Sequence, residues 1–225
     1  MKRRVIGGNS CFPKDGLKHL WGLDGNVNDM VGGAHGTIVG GMTYENGVLG
    51  KCAVFNGNNY ITLPLDLSLT KFTISFWCRL YSYVQFAGVI MYRGSNKANG
   101  IATPGAIDGM GYKPIGFIMQ YANAGSLKQY LEELTLPDLE KFKHIVINSD
   151  DSIYINSVKY KMKLAHSSGN YKQLDLYNGT CIGFDSVASD RKLKGALQQV
   201  LIYDRLLSDD EVFLLYNNGN GLNYQ

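Results

Sequence analysis

The chain has 225 residues, a formal net charge of +3 and only 18% charged side chains, below the quarter typical of soluble domains, which excludes a disordered chain. Its 45% hydrophobic content is enough to bury roughly 70% of the unfolded surface. No basic run follows Lys2-Arg3-Arg4, which excludes a nucleic-acid footprint, and no window reaches the roughly 18 apolar residues of a membrane span.

The first fifteen residues read as an arm ahead of a single domain spanning residues 16–225. Lys2-Arg3-Arg4 is followed by Val5-Ile6 and then Gly7-Gly8-Asn9-Ser10, without the apolar stretch of roughly 7–15 residues that a secretory signal needs. The chain is therefore expected to be made in the cytoplasm, and Lys2, Arg3, Arg4 and Phe12 are expected to dock the arm onto a neighbouring chain. Beyond the arm, short apolar or alternating runs follow at 36–39, 53–63, 72–80, 87–92, 115–121, 142–149, 152–155, 180–184 and 196–203. Between them lie Asn-Gly and Asp-Gly pairs such as Asp24-Gly25, Asn56-Gly57 and Asn178-Gly179, which supply the positive φ angles of tight turns. Many short strands without intervening helices of roughly 10–15 residues predict an all-β antiparallel sandwich.

Two stretches interrupt the series. Residues 94–114 are rich in glycine and poor in large apolar side chains, and are expected to form a long inserted loop. Residues 128–141, broken at Pro137, fit a strand pair or short helical turns. Near the end, Ser208-Asp209-Asp210-Glu211 has the form of a capping box, and Val212, Leu215 and Tyr216 give one helix its apolar face. That short C-terminal helix is expected to cover one end of the sandwich. Cys11, Cys52, Cys78 and Cys181 are widely spaced with no Cys-x-x-Cys, and reduced thiols are expected.

Several of these segments carry a resemblance. His19-Leu20-Trp21-Gly22-Leu23-Asp24-Gly25 and Ala53-Val54-Phe55-Asn56-Gly57 lie near the start, and Gly195-Ala196-Leu197-Gln198-Gln199-Val200-Leu201-Ile202-Tyr203-Asp204 near the finish. With Phe72-Thr73-Ile74-Ser75-Phe76-Trp77 and Lys143-His144-Ile145-Val146-Ile147 between them, the chain resembles the laminin-G-like branch of the concanavalin A-like lectin/glucanase superfamily from about residue 16 to 219. The resemblance implies a two-sheet antiparallel jelly roll, but a fold of this kind hosts unrelated activities.

Hydrolases of that superfamily usually carry carboxylates alternating along one strand, and retaining ones need the catalytic pair about 5 Å apart. No Glu-x-Asp-x-Glu or Glu-x-Asp-x-x-Glu occurs. Glu132-Glu133 and Asp150-Asp151 are adjacent, and adjacent strand residues point to opposite faces. His19, His35, His144 and His166 are dispersed, and a non-catalytic protein is expected.

The resemblance also raises calcium. Asp24, Asn26 and Asn28 alternate as in a Ca²⁺ loop, but Asp29 stands where an EF-hand has glycine and His35 where it has glutamate. A turn closed by its own Asx side chains is one reading. The other is a Ca²⁺ site made from Asp24, Asn26, Asn58 and Gln198, weakened because Gln198 and Gln199 replace the acids common among relatives. For a glycan, Tyr92, Tyr112 and Tyr121 bracket the glycine-rich stretch with Asn99 and Asp108, offering an aromatic platform and directional polar partners. The competing reading keeps these tyrosines half-buried at strand edges.

The expected function is a binding or structural role. A lectin-like sandwich without an export signal fits a bacteriophage virion-surface component (accessory capsid, fibre or tail) released by lysis. Its partners would be other virion proteins, copies of itself or host surface glycans, with neither nucleic acid nor membrane insertion. An independent carbohydrate-binding lectin is the alternative, and a divergent glycan-active enzyme stands behind it.

Overall fold

A computed structural model describes residues 11–94, 97–104, 116–121, 126–129, 140–166 and 173–225. Strands are numbered in chain order. One sheet contains β1 (Leu17–Trp21), β3 (Thr43–Asn46), β4 (Lys51–Asn56), β6 (Thr73–Leu80), β11 (Lys143–Asn148), β12 (Ser152–Ile155), β13 (Val158–Lys161) and β16 (Lys194–Tyr203). The other contains β2 (Thr37–Val39), β5 (Tyr60–Leu69), β7 (Gly88–Gly94), β8 (Lys97–Ala102), β9 (Ile118–Tyr121), β10 (Ser126–Gln129), β14 (Lys163–His166) and β15 (Leu174–Ile182). The first is ordered β13-β12-β11-β6-β16-β4-β3, with β1 also on β16, and the second β14-β10-β9-β8-β7-β15-β5-β2. All their pairings are antiparallel.

The core lies between the sheets and follows the two-residue period of strands. Ile145 and Ile147 of β11 join Phe76 and Cys78 of β6 and Ile90 and Ile101 of the facing sheet. Val146, between the two isoleucines, points outward into a second cluster with Leu201, Tyr203, Val212 and Leu215. That outer layer is closed by α1 (Asp209–Tyr216). The helix therefore lies on the outer face of a sheet and not over an end of the sandwich, because its buried stripe of Val212 and Leu215 matches that outward apolar row. Its capping box is complete: Ser208 Oγ accepts from Glu211 N and Glu211 Oε2 accepts from Ser208 N. Ser208→Ala is expected to cost about 1 kcal/mol, lowering Tm by roughly 2–4 °C in a domain of this size, which calorimetry would read.

Three further expectations are corrected. Residues 53–63 are two strands split at Asn56-Gly57, where Asn58 N donates to Asn56 Oδ1 at 2.9 Å and Gly57 has φ +88°. The glycine-rich stretch after 94 contains β8, which pairs with β7 from Gly88↔Ala102 to Gly94↔Lys97. Glycine makes this pairing sterically feasible: at Gly100 a Cβ would sit 2.0 Å from the Ile90 carbonyl oxygen. Finally, the Phe12 side chain is engaged within its own chain. It is 7% exposed and packs edge-on against Tyr224 at 5.3 Å, while Tyr203 Oη donates to Pro13 O at 3.0 Å. Lys2, Arg3 and Arg4 lie outside the described residues. The four cysteines are free, with Cys11 exposed and the others buried.

Candidate functional site

The site is built around an irregularity in β16. Its first half pairs with β4 (Lys194↔Asn56 to Leu197↔Ala53) and its second half with β1 (Val200↔Trp21 to Leu17↔Tyr203). Between the halves the register against β6 shifts. An inserted residue reverses which side chains face the core, so Leu197, Val200 and Ile202 all point inward. Gln199 is the inserted residue and carries φ +50°, a left-handed conformation that costs a residue of its type on the order of 1–3 kcal/mol. Its backbone N–H donates to Gly22 O at 3.0 Å and its Nε2 to Leu222 O at 2.6 Å. Its Oε1 is buried and has no partner among the described residues, although the residue is only 5% exposed. An acceptor left so typically costs about 1–3 kcal/mol.

Two loops frame this residue. The first is held by Asp29, whose Oδ1 accepts N–H bonds from Leu20, Val31 and Gly32 at 3.0, 3.1 and 3.1 Å. Its Oδ2 accepts from Ala34 N at 2.9 Å and lies 2.7 Å from His19 Nδ1. His19 stacks on Trp21 with centroids 5.3 Å apart, and Trp21 Nε1 donates to Ala34 O at 2.9 Å. Burial pushes the Asp29 carboxyl up, but the bonds from His19, Leu20, Val31 and Gly32 outweigh it and hold the group well below the usual carboxylate range. The loop so fixed presents Met30, 54% exposed.

The second frame is the turn from Gly47 to Lys51. Asp24 Oδ1 accepts from Lys51 N at 2.8 Å, and Gln198 Oε1 accepts from Val48 N and Leu49 N at 2.9 and 3.0 Å. Asp24 and Gln198 are thus brought to one turn, as a shared cation would require. Both lone-pair directions of the Gln198 oxygen are already taken by N–H groups. Asn26 Oδ1 accepts from Asn28 N at 2.9 Å within its own turn, and Asn58 belongs to the separate turn at 56–59. Asp24 Oδ1, Asn26 Oδ1 and Gln198 Oε1 are therefore engaged in closing turns, and no group of three His, Cys, Asp or Glu suited to a metal occurs among the described residues.

Between these frames lies a cleft of about 110 Å³. Gln198, Gln199 and Gly22 line it, Leu20, Met30, Leu49 and Tyr224 give it apolar surface, and Asp24 and Asn223 contribute polar side chains. Lys14 Nζ lies 5.0 Å from the Tyr224 ring centroid.

Of the tyrosine site expected from the sequence, Tyr92, Asn99 and Tyr121 are described, and all three face the core. Tyr121 is 4% exposed, belongs to the inter-sheet core and lies 6.3 Å from Phe72. Tyr92 packs half-buried against the same core and pairs in register with fully buried Asn99. All three lie on the inner side of their sheet, because their positions share the parity of the core. Asp108 and Tyr112 lie outside the described residues, as do Glu132 and Glu133. Asp150 Oδ1 accepts from Ser152 N at 3.0 Å in the β11–β12 turn. His144 is buried with Nε2 2.9 Å from Ser75 Oγ, and burial pulls its pKa down to about 3. Met30, Leu49 and Tyr224 were not singled out from sequence, and Gln199 was named only beside Gln198, as a neutral amide at an acid position of a Ca²⁺ site. The available signal was two adjacent amides interrupting an apolar strand.

The family model described as the concanavalin A-like lectin/glucanases superfamily matches residues 55–213. No match to a curated protein is found. Domain 4 of AbnA, a GH43 extracellular arabinanase from Geobacillus stearothermophilus, in complex with arabinotriose, is similar with a TM-score of 0.66 and 19% identity, covering 88% of this chain and 96% of that one. Trypanosoma rangeli sialidase in complex with the inhibitor DANA gives 0.60 and 13%, covering 98% of this chain and 36% of that one. The binding domain of botulinum neurotoxin DC in complex with SialylT gives 0.54 and 14%, covering 90% and 51%. This chain thus spans 36% of the sialidase and 51% of the toxin binding domain. At such identities the likeness is one of fold.

Proposed function

This chain belongs to the concanavalin A-like lectin/glucanases superfamily, and from that premise we propose that it is a non-catalytic glycan-binding module. The observation that carries the reading is the cleft between the two loops, whose apolar walls of Leu20, Met30, Leu49 and Tyr224 carry the polar side chains of Asp24 and Asn223. Sugar recognition uses that combination, an apolar surface for the C–H face of a ring and a few fixed polar atoms for its hydroxyls. Support comes also from the similar arabinanase domain, which is described in complex with arabinotriose and is matched over nearly its whole length. No catalytic step is required. Asp24 is the one carboxylate among the described lining residues, whereas glycoside hydrolysis of the usual kind employs two. The phage-virion setting expected from the sequence finds no counterpart in the three similar structures and is not needed for glycan capture.

A glycan array probed with the labelled full chain tests this reading. Dose-dependent retention on a defined set of oligosaccharides, with no release of reducing sugar, is the expected result. Turnover of any retained glycan, or retention on none, would refute it.

A further inference from the structure

We propose that the cleft beside Gln199 is one end of a longer site and that the protein binds a chain of sugar units; this deepens the glycan-binding reading above and rests on it. The cleft offers only about 110 Å³, below the roughly 300–1,000 Å³ of sites that enclose a small molecule. A second depression, of about 660 Å³, adjoins it. That depression is lined by Cys11, Phe12 and Lys14 near the start of the chain and by Asn217, Leu222 and Gln225 near its end. Asn223 lines both spaces, and Phe12 of the larger one packs edge-on against Tyr224 of the smaller at 5.3 Å.

The segment between the two spaces is held at several points. Gln199 Nε2 donates to Leu222 O at 2.6 Å, Asn217 Nδ2 to Gly221 O at 2.7 Å, and Lys14 Nζ to the Gln225 carbonyl. Gly221, with φ +66°, lets this segment approach Leu49, whose side chain would lie 2.8 Å from a Cβ there. A wall fixed in this way reduces the ordering cost of binding. Successive sugar rings repeat one pattern, a C–H face with hydroxyls at its edge. The two spaces repeat the matching one: Met30, Leu49 and Tyr224 with Asp24 in the cleft, and Phe12 and Leu222 with Lys14 and Asn217 in the larger depression. Asn223, exposed and shared by both, offers a donor and an acceptor to the unit that bridges them. A single unit fills only one space. A short chain fills both, and its second contact is made at high effective concentration.

Isothermal titration of the full chain with arabinose and with arabinotriose tests this. Arabinotriose is expected to bind about tenfold more tightly or better, a larger gain than three copies of one unit give by number alone. Cys11 supplies a second test, because it is the exposed one of the four free cysteines and borders the larger depression and not the cleft. Capping its thiol with N-phenylmaleimide is expected to weaken arabinotriose binding about fivefold or more, whereas Cys11→Ala, treated alike, should bind as the untreated protein does. Asn223→Ala, at an exposed position, is expected to weaken arabinotriose binding several-fold with Tm unchanged. Equal affinities for arabinose and arabinotriose, or full arabinotriose affinity in both the capped protein and Asn223→Ala, overturn the extended site and leave glycan binding standing. The glycan array covers ligands of other composition: retention is expected on oligomers and not on their single units. Retention on single units as strong as on oligomers overturns the extended site likewise, and retention on nothing overturns both readings.

Discussion

Asp29→Ala is expected to destabilise the protein by on the order of 3–5 kcal/mol, the range seen when a buried, fully partnered carboxylate is removed. Four backbone N–H groups and His19 lose their acceptor at once, and the loop carrying Met30 loses its frame. At roughly 2–4 °C per kcal/mol for a chain of this length, Tm should fall by about 6–20 °C. The pH dependence follows from the sign of the shift. Asp29 has a folded pKa held below its unfolded value of about 3.9. Its contribution is therefore complete above about pH 4 and is lost as pH falls below that, because the unfolded chain takes up the proton first. His144, pulled down to about 3 from about 6.5, acts in the same direction over a higher window. Stability should accordingly decline as pH falls from about 6.5, and more steeply below about 4. Thermal melts at pH 7 and pH 4, continued to pH 3, would show the second, steeper loss reduced in Asp29→Ala. An unchanged Tm at pH 7 would mean that the carboxylate does not hold the loop.

Phe76→Ala should cost a similar amount, about 3–5 kcal/mol, as for buried aromatic side chains in general. Phe76 is fully buried between the sheets and meets Phe117 edge-on at 5.4 Å. Its neighbour Trp77 points the other way, onto the outer face, where it lies 4.9 Å from His144 and stacks with Tyr216 at 5.9 Å. Trp77→Ala opens that outer layer and belongs in the same range. Trp77→Phe should be much milder, because Trp77 Nε1 is buried with no partner among the described residues. Equal melting temperatures for wild type and Phe76→Ala would contradict the placement of β6 in the sandwich centre.

The parts of the fold that were legible from sequence are those whose cause is local. The run at 72–80 became β6, the run at 142–149 became β11, and Ser208 caps α1 because four consecutive residues carry the whole hydrogen-bond pattern. What was not legible depends on distant segments meeting. Helix α1 covers a sheet face because Val146 and Leu201 point outward beneath it, a fact of topology. Tyr92 and Tyr121 look suited to a sugar until the register places them on the core side. The cleft draws on β1, the 47–51 turn, the bulge of β16 and the segment near Tyr224, and of its residues Asp24, Gln198 and Gln199 stood out beforehand. They stood out as a cation site, whereas Asp24 and Gln198 each brace a turn and Gln199 Oε1 is buried with no partner among the described residues. A reader alert to bulges could have suspected this from two amides in the middle of Leu197 to Ile202, since an inserted residue is the simplest way to keep the apolar residues on both sides facing inward.

The most direct measurement of the central claim is amide chemical-shift mapping on the ¹⁵N-labelled protein during titration with arabinotriose. A glycan held in the cleft should move the signals of Gly22, Leu49, Gln199 and Tyr224, with saturation. Shifts confined to β7 and β8 around Tyr92 and Asn99, or no saturable shift anywhere, would contradict it.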